Sequence, residues 1–383
     1  MELVSRFFHP SEKSYFLFGP RGTGKSTLVK RVYADALLID LLDPEAYRQY
    51  RAYPERIRDF VLAHDNTQTF IIDEVQKVPE LLSVVHQLIE LKRGWQFILT
   101  GSSARKLKRA GVDLLAGRAQ LKHLHPFIAA EISMQFNLEK NLQLGMLPLV
   151  LDSVDPLSDL KTYIALYMRE EVQMEGLVRK VDQFSRFLEA VSFSQACQIN
   201  YANIARDCYV SNKTVGNYIE ILEDLLLSFK IHPFDKRAKR ILTQHPKFYF
   251  FDAGVFQAIR PKGPLDNPHE MAGVALETLV AQHLRAWLDY SKEEGDLFFW
   301  RTKSGLEVDF IIYGEIGFYA IEVKSSNVVK PQDLRGLLEF KHDYPECIPL
   351  LVYRGKERVL QKDILCIPAA DFLLSLLPGK AIA

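Results

Sequence analysis

Residues 14–27 read SYFLFGPRGTGKST, and this stretch decides the fold of the N-terminal part of the chain. Four apolar residues, Tyr15 to Phe18, predict a buried strand, and TLVKRVY after the loop has helical spacing. Between them, Gly19 to Ser26 fit the pattern GxxxxGK[ST]. This pattern is typical of a loop whose backbone N–H groups cradle phosphate groups. The sequence therefore predicts a nucleotide site at the start of the first helix.

The loop contains each group that a bound nucleoside triphosphate needs. Glycine tolerates the positive φ angles that turn successive N–H groups toward phosphate oxygens, and the helix adds its positive N-terminal end. Lys25 is expected to reach the β- and γ-phosphates, and Ser26 to ligate Mg²⁺. The predicted nucleotide contacts are Gly19, Pro20, Arg21, Gly22, Thr23, Gly24, Lys25, Ser26 and Thr27.

Hydrolysis needs acidic groups, and residues 70–76, FIIDEVQ, supply two of them. The apolar run predicts a buried parallel strand, with Asp73 at its carboxyl end, where α/β sheets place ligand groups. Asp73 is expected to hold Mg²⁺ through water, and Glu74 to polarise the attacking water.

Two further segments carry polar residues beside predicted strands. WQFILTGSS, residues 95–103, ends a strand with Thr100, Ser102 and Ser103, which either sense the γ-phosphate and orient water or form a hydroxyl-rich turn. Arg118 in LLAGRAQLKHLHPF precedes another strand. It is either a finger that acts on the nucleotide of a neighbouring subunit or a solvated charge, and the finger is slightly preferred.

Along the chain, the strand in DALLIDLLD, residues 35–43, lies between the loop strand and the acidic strand. In the sheet, the loop strand and the acidic strand are expected to have another strand inserted between them. This arrangement resembles the AAA+ superfamily. FIIDEVQKVPELLSVVHQLIE, FILTGSSARKL and LLAGRAQLKHLHPF narrow the resemblance to prokaryotic ATPases that join an AAA+-type module to a C-terminal domain of unknown function. The resemblance implies that Gly19 to Thr27 bind ATP, that Asp73 and Glu74 serve Mg²⁺ and water, and that Thr100 to Ser102 form a sensor.

The middle of the chain has a different, helical character. In NYANIARDCYVSNKTVGNYIEILEDLLLSFKIHPF, a helix from Tyr201 to Cys208, a short turn and a second helix capped by Ser211 predict a helix-turn-helix. The second helix exposes Asn212, Lys213, Thr214 and Asn217, and the tip of the following wing carries Lys236, Arg237, Lys239 and Arg240. This winged helix either contacts DNA or only packs between domains.

The last third contains a second group of acids. Glu277 lies on an otherwise apolar helix face, Asp309 on the strand GLEVDFIIY, and Glu322 and Lys324 on the strand FYAIEVKSS. Glu322 and Lys324 are two residues apart and share a face. Glu277, Asp309 and Glu322 are predicted to ligate Mg²⁺, with Lys324 beside the bound water and the developing charge.

The order α-β-β-β-α-β of this region resembles the PD-(D/E)xK nuclease fold. The resemblance assigns Asp309, Glu322 and Lys324 to its core and Glu277 to its helical acid, with Val308 in place of the usual proline. Glu307 shares a face with Asp309 and is the alternative ligand. The other interpretation is a nuclease-like fold whose charges satisfy one another or bind a partner.

Composition limits the remaining possibilities. The 48 basic residues balance 48 acidic ones, so nucleic-acid binding requires a local patch rather than a global field. Four scattered cysteines, no secretory signal and no long apolar run predict a cytoplasmic protein without a membrane segment or structural zinc.

The predicted fold class is α/β: a P-loop NTPase module of AAA+ type over residues 1–130, a helical lid over 131–185, a winged helix-turn-helix over 186–255 and a nuclease-like domain over 256–383. The predicted function is an ATPase whose nucleotide state, with Mg²⁺, controls a DNA-contacting half that either cleaves DNA or only contacts it. The alternative is a slow ATP switch that binds a protein partner through a non-cleaving recognition module. Arg118 hints at a homo-oligomer.

Overall fold

The computed structural model describes residues 4–64, 66–103, 115–168, 181–236, 245–264 and 266–382. The chain folds into two compact units. The P-loop unit comprises Phe8–His125 and Glu223–Leu226, and the distal unit comprises the segment before Phe8, Pro126–Leu222 and the chain from Leu227 onward. The four-part division predicted from the sequence remains a prediction.

The P-loop unit contains a five-stranded, all-parallel sheet. Its strands are β1 Tyr15–Phe18, β2 Leu37–Asp40, β3 Thr69–Asp73, β4 Gln96–Gly101 and β5 Gln120–His123. They are ordered β2-β3-β4-β1-β5, so β4 lies between the loop strand and the acidic strand, as the sequence predicted. The runs YFLF and FIID are buried throughout because helices cover both faces of a parallel sheet.

Within the part of this unit that the structure describes, four α-helices accompany the sheet: α1 Lys25–Val32, α2 Pro44–Ala52, α3 Arg56–Ala63 and α4 Leu81–Glu90. Apolar residues of α3 and α4 pack with those of the strands into one core that includes Phe16, Phe70, Phe97 and Val85. The sheet and its core thus fix the carboxyl ends of the strands, from which the functional side chains project.

The distal unit contributes the remaining described helices, numbered here in chain order. They are α5 Leu138–Leu144, α6 Pro148–Leu151, α7 Pro156–Thr162, α8 Val181–Ser192, α9 Tyr201–Cys208, α10 Asn212–Asp224, α11 Ala253–Ile259, α12 Pro268–Tyr290, α13 Arg335–Asp343 and α14 Ala369–Ser375. The last two residues of α10 group with the P-loop unit. Among the described residues, no helix combines the length and apolar character needed to cross a membrane.

The distal unit is organised around a nine-stranded mixed sheet. Its strands are β6 Cys197–Gln198, β7 Ser228–Pro233, β8 Lys247–Phe250, β9 Gly295–Arg301, β10 Glu307–Gly314, β11 Gly317–Lys324, β12 Ile348–Tyr353, β13 Val359–Gln361 and β14 Ile364–Pro368. Their order is β13-β14-β12-β11-β10-β9-β7-β8-β6. A short parallel pairing of His232 and Pro233 with Phe298 and Phe299 joins the strands of the middle segment to those of the last third.

The helix-turn-helix segment has the two helices that the sequence predicted, α9 and α10. Ser211 precedes α10, and its Oγ accepts a hydrogen bond from the Thr214 amide at 3.1 Å. Asn212, Lys213 and Asn217 are exposed. Of the predicted wing tip, Arg237, Lys239 and Arg240 lie outside the described residues. The winged-helix interpretation and DNA contact remain predictions.

The last third shows the predicted order of helix, three strands, helix and strand, in α12, β9 to β11, α13 and β12. Strands β9, β10 and β11 pair antiparallel, whereas β12 pairs parallel to β11. This order places Glu277 on the helix and the other three predicted site residues on β10 and β11. The nuclease-like nature of the region remains a prediction.

The N-terminal segment is held by a buried ion pair within the distal unit. Arg6 Nε lies 3.1 Å from Glu131 Oε1, and these side chains are 7% and 0% exposed. The Phe7 amide donates to the same oxygen at 2.7 Å, and the Ile128 amide to the other oxygen at 3.1 Å. Residues 4–7 therefore belong to the distal unit, and the chain enters the P-loop unit after them.

A buried carboxylate starts helix α11. Asp252 accepts hydrogen bonds from the amides of Met146, Gly254 and Val255 at 2.7, 2.9 and 3.2 Å. A Cβ at Gly254 would lie 2.2 Å from the carbonyl oxygen of Leu144, so only glycine permits this approach of two backbones.

We expect Gly254→Ala to destabilise the distal unit by about 1–3 kcal/mol, because the added methyl group overpacks a backbone contact. Gly216→Ala is the matched control. Gly216 lies inside α10 with its nearest potential Cβ contact at 3.9 Å, so alanine should stabilise by about 0.5–1 kcal/mol. Urea unfolding followed by circular dichroism measures both, and equal effects of the two substitutions would contradict this account.

Candidate functional site

The phosphate-loop backbone has the conformation that the sequence predicted at two of its glycines. Gly22 and Gly24 have φ angles of 83° and 88°. Gly24 begins α1 without a side-chain cap, and a Cβ at this position would meet no heavy atom within 4 Å. Gly19 serves another purpose, since a Cβ there would lie 2.3 Å from the Leu124 carbonyl oxygen. The turn therefore leaves open space at an uncapped helix N-terminus, which suits an anion.

Lys25 lies inside the loop, with its side chain buried. Its Nζ donates to the carbonyl oxygens of Gly19 and Pro20 at 2.7 and 3.1 Å. Thr23 braces the same turn, since its Oγ1 donates to the Pro20 carbonyl oxygen at 2.8 Å. The loop thus positions the ammonium group beside the turn that is predicted to hold the phosphates.

Asp73 and Thr100 meet at the carboxyl edge of the sheet because β3 and β4 are neighbours. Asp73 is 1% exposed, and its Oδ1 accepts a hydrogen bond from Thr100 Oγ1. The Glu74 amide donates to the same Thr100 oxygen at 3.3 Å. The predicted sensor residue is therefore bonded to both predicted acidic residues.

Gln76 is a functional candidate that the sequence interpretation missed. Its Nε2 donates to a Glu74 carboxylate oxygen and to Ser102 Oγ, the latter at 3.1 Å. Glu74 has a φ of 59°, and Gln76 follows in the 3₁₀ turn Val75–Lys77. A polar side chain two residues beyond the acids in FIIDEVQ was the available signal. Gln76 links the acid to the serine of the next strand end.

The remaining candidates of the P-loop unit have structural contacts. Ser103 Oγ donates to the Asp224 carbonyl oxygen at 3.0 Å. The Arg118 guanidinium pairs with Glu90 at the end of α4 and lowers the pKa of that carboxyl, with both side chains well exposed. The role of Arg118 as a finger remains a prediction.

These residues fit a nucleoside triphosphate with Mg²⁺. The uncapped start of α1 and the space at Gly24 suit phosphate oxygens. Ser26 follows in the first turn of α1, and the Asp73 carboxylate supplies the hard oxygen that Mg²⁺ prefers. Ser26 and Asp73 would hold the metal ion.

The four groups predicted for the C-terminal site also approach one another, but two of them, Glu277 and Asp309, contact a further side chain, Lys247. Lys247 Nζ lies 2.9 Å from Glu277 Oε1, 2.5 Å from Glu307 Oε1 and 3.1 Å from Asp309 Oδ1. The Lys247 side chain is 2% exposed. An ammonium group therefore occupies the centre of the predicted acidic cluster.

Glu322 and Lys324 form the other half of this cluster, and they point to one face as predicted. Their side chains are paired with each other. Glu322 Oε2 accepts a bond from the Asp309 amide at 3.3 Å, and Asp309 Oδ2 accepts one from the Val323 amide at 2.9 Å. These bonds tie β10 to β11.

Lys247 and Tyr249 are two site residues that the sequence motifs do not identify, because they lie in KFYF at the end of the predicted wing segment. Tyr249 OH donates to Glu277 Oε1 at 2.7 Å. Lys247 and Tyr249 are two residues apart on β8 and point to one side. A lysine within an apolar strand was the available signal, since a buried lysine needs carboxylate partners.

The electrostatics of the cluster follow from its burial. Desolvation and the nearby Asp309 raise the pKa of Glu277 to about 7 and that of Glu322 to about 8. Desolvation lowers the pKa of Lys247, but the surrounding carboxylates outweigh it and leave that pKa above its ordinary value. Lys247 thus stays charged at neutral pH.

The donor set of this cluster does not fit Mg²⁺ with Lys247 at its centre. Within the described ranges, no group of three or more His, Cys, Asp and Glu side chains is arranged to hold a metal ion. Glu277, Asp309 and Glu322 as Mg²⁺ ligands therefore stay a prediction, which this geometry does not support.

The sheet order, the glycine loop and the acidic strand end define the first unit as a P-loop nucleotide-binding module. More particularly, a family model described as an AAA domain matches residues 11–133, which span most of this unit. Two models described as domains of unknown function match the rest of the chain, DUF8612 over residues 135–266 and DUF4143 over residues 272–372.

Similar chains occur in bacteria and archaea. An uncharacterized protein of Mycobacterium tuberculosis is 23% identical over 367 residues, covering 93% of this chain and 80% of that protein. An uncharacterized protein of Methanocaldococcus jannaschii is 23% identical over 431 residues, covering 97% of this chain and 87% of that protein. The similarity thus runs through both units.

Two solved structures show a weak likeness. AMPPCP-bound DnaA from Aquifex aeolicus has a TM-score of 0.26 and 16% identity, covering 55% of this chain and 81% of that one. Protein VC1899 from Vibrio cholerae has a TM-score of 0.22 and 14% identity, covering 94% and 96%. At these TM-scores, neither likeness carries an argument about this chain.

We expect Thr100→Val to destabilise the P-loop unit by about 1–3 kcal/mol, because the isosteric change leaves the buried Asp73 carboxylate without its hydroxyl donor. Thr100→Ser keeps the hydroxyl and should therefore lose less stability than Thr100→Val. Thr69→Val, which removes a part-buried hydroxyl at the start of β3, is the positional control. Urea unfolding measures all three, and equal losses for valine and serine at residue 100 would contradict the role of the hydroxyl.

Proposed function

We propose that this protein is an ATP-hydrolysing molecular switch whose nucleotide state controls a DNA-contacting distal unit. The observation that carries the ATPase part is the meeting of the Asp73 carboxylate with Thr100 at the sheet edge that also carries the Lys25 loop. A binding loop, an acidic strand end and a polar neighbouring strand are the parts that phosphoryl transfer requires.

Different groups of the loop and of the neighbouring strands contact the phosphates and Mg²⁺. The amides around Gly22 and Gly24 bind phosphate oxygens, and the Lys25 ammonium exchanges its carbonyl acceptors for the β- and γ-oxygens. Ser26 and Asp73 hold Mg²⁺, which neutralises phosphate charge when bound. Thr100 keeps Asp73 oriented through its hydroxyl.

Glu74 is the proposed base that polarises the attacking water. Gln76 bonds to its carboxylate and to Ser102, so it controls where that carboxylate points. Thr100 reaches the Glu74 amide as well as Asp73, and this shared contact supports a role in sensing the γ-phosphate. Arg118 is retained as a candidate finger between subunits.

The proposal of DNA contact is supported by the second helix of the helix-turn-helix. Asn212, Lys213 and Asn217 are exposed in its first turns, where recognition helices reach bases and phosphates. Because the net charge of the chain is zero, the attraction to phosphates must come from a local basic group, for which Lys213 and the basic residues of the predicted wing are the candidates.

A second candidate function is a slow ATP switch that binds a protein partner through a non-cleaving distal unit. The specific observation in its favour is Lys247, whose ammonium group holds the acids that cleavage would need for a metal ion. Cleavage by Glu277, Asp309, Glu322 and Lys324 remains a prediction.

We expect Lys25→Ala to weaken ATP binding roughly 10- to 100-fold, because it removes a charge-assisted contact to the phosphates. Glu74→Gln should keep ATP binding and slow hydrolysis by about 100-fold or more. Lys30→Ala, an exposed lysine on the same helix, is the control and should change neither. Calorimetry with Mg²⁺·ATP and a phosphate-release assay measure the two effects. Undiminished binding by Lys25→Ala would refute the nucleotide site.

We expect DNA to stimulate the ATPase rate of the wild-type chain. Lys213→Ala should weaken DNA binding and reduce its dependence on salt by about one phosphate contact. Gel shifts over a range of salt concentrations, with Lys30→Ala as the control, measure the change. An ATPase rate that is indifferent to DNA, together with long-lived bound nucleotide, would favour the protein-partner switch instead.

A further inference from the structure

The acidic cluster of the distal unit contains four carboxyl groups, on one helix and two strands. Glu277 belongs to α12, Glu307 and Asp309 to β10, and Glu322 to β11. Lys247 enters this cluster from β8, which is paired with β6 on one side and β7 on the other. The lysine therefore comes from an interior strand of the sheet.

We propose that the ammonium group of Lys247 is the resident cation of this cluster, in the position for which the sequence predicted Mg²⁺. The elements of the distal unit are then held together by buried ion pairs, and the unit is not a metal-dependent nuclease. This inference does not depend on ATP hydrolysis by the P-loop unit.

The contacts of the ammonium group support this assignment. Lys247 Nζ donates hydrogen bonds to Glu277 and Asp309 at 2.9 and 3.1 Å and forms an ion pair with Glu307 at 2.5 Å. Its side chain is 2% exposed, so these carboxylates take the place of water around the charge.

Most of the carboxylate oxygens that a metal ion would need also have hydrogen-bond or ion-pair partners. Glu277 Oε1 accepts from Tyr249 OH as well as from Lys247. Glu307 Oε2 pairs with Arg301 at 3.1 Å. Asp309 Oδ2 accepts from the Val323 amide, and both oxygens of Glu322 have donors. A divalent cation would have to displace several of these bonds.

The charges of the cluster nearly balance without any metal ion. Four carboxyl groups face three cations, namely Lys247, Lys324 and Arg301. Adding a divalent cation would turn this balance into a net positive charge beside the buried Lys247, which desolvation opposes. Moving Lys247 out of the way would either break the pairing of β8 or leave a buried charge without partners.

The consequence for the distal unit is mechanical. Lys247 connects β8 to α12 and β10, while Glu322 connects β10 to β11. The ammonium group thus ties the strands around the helix-turn-helix to those of the last third. A region held in this way suits recognition rather than cleavage.

The test uses the nucleotide-free full-length chain and Mn²⁺ as the probe, followed by electron paramagnetic resonance. The wild type should bind no Mn²⁺ that depends on Asp309. Lys247→Met should gain a site with at least tenfold higher Mn²⁺ affinity than the wild type, and Mn²⁺ should raise its melting temperature. The double variant K247M/D309N should lose this site. Lys230→Met on β7 is the matched control and should gain nothing.

Mn²⁺ binding by the wild type that Asp309→Asn abolishes would overturn the proposal, as would Mg²⁺-dependent DNA cleavage that the same substitution abolishes. A folded Lys247→Met variant that gains no affinity for Mn²⁺ would also overturn the proposal, because the ammonium group would then not occupy a position that a metal ion can take. If Lys247→Met does not fold, comparison of the wild type with Asp309→Asn still decides the question.

Discussion

The P-loop unit depends on one constraint, the position of β4 between β1 and β3. Parallel strands release their carboxyl ends at one edge of a sheet, so this order brings the loop after β1 next to Thr100 and Asp73. A sheet in which β1 and β3 were direct neighbours would separate the hydroxyl from the carboxylate by another strand. The proposed chemistry of the unit follows from this arrangement and not from any single residue.

The two units use buried lysines in opposite ways. Lys25 donates to backbone carbonyl oxygens of its own loop, which are weak competitors for an ammonium group when phosphate is offered. Lys247 contacts three carboxylates. Separating it from them would leave buried charges without partners, which is strongly destabilising. Lys25 can therefore exchange its contacts for those of a bound ligand, whereas Lys247 keeps its contacts.

Much of the P-loop unit could be predicted from the sequence because its signals are local. Strand, glycine loop and helix follow one another within 20 residues of chain, and the buried runs of β1 and β3 leave no other assignment. The position of Gln76 two residues after Glu74 is a weak sequence signal, since many polar residues follow acidic strand ends, and its contact with the Glu74 carboxylate identifies it. In the distal unit, the order of elements was predictable, and Glu277, Asp309, Glu322 and Lys324 do approach one another.

The centre of that cluster was not predictable because Lys247 lies 30 residues before Glu277 and 62 before Asp309. Its role arises from the pairing of β7 with β9, which places β8 in the same sheet as β10. The residue pattern within KFYF does not indicate that β8 belongs to the same sheet as β10. The sequence motif therefore identified the acids, whereas long-range topology decided which cation they hold.

The ion pair of Arg6 and Glu131 has a consequence for dissecting the molecule. Because residues 4–7 belong to the distal unit and the chain returns to that unit at Pro126, the P-loop unit is inserted into the distal unit along the sequence. A fragment that starts at residue 126 carries the buried Glu131 side chain without its arginine. The distal unit should therefore be produced by replacing residues 8–125 with a short linker, which keeps Arg6, rather than by simple truncation.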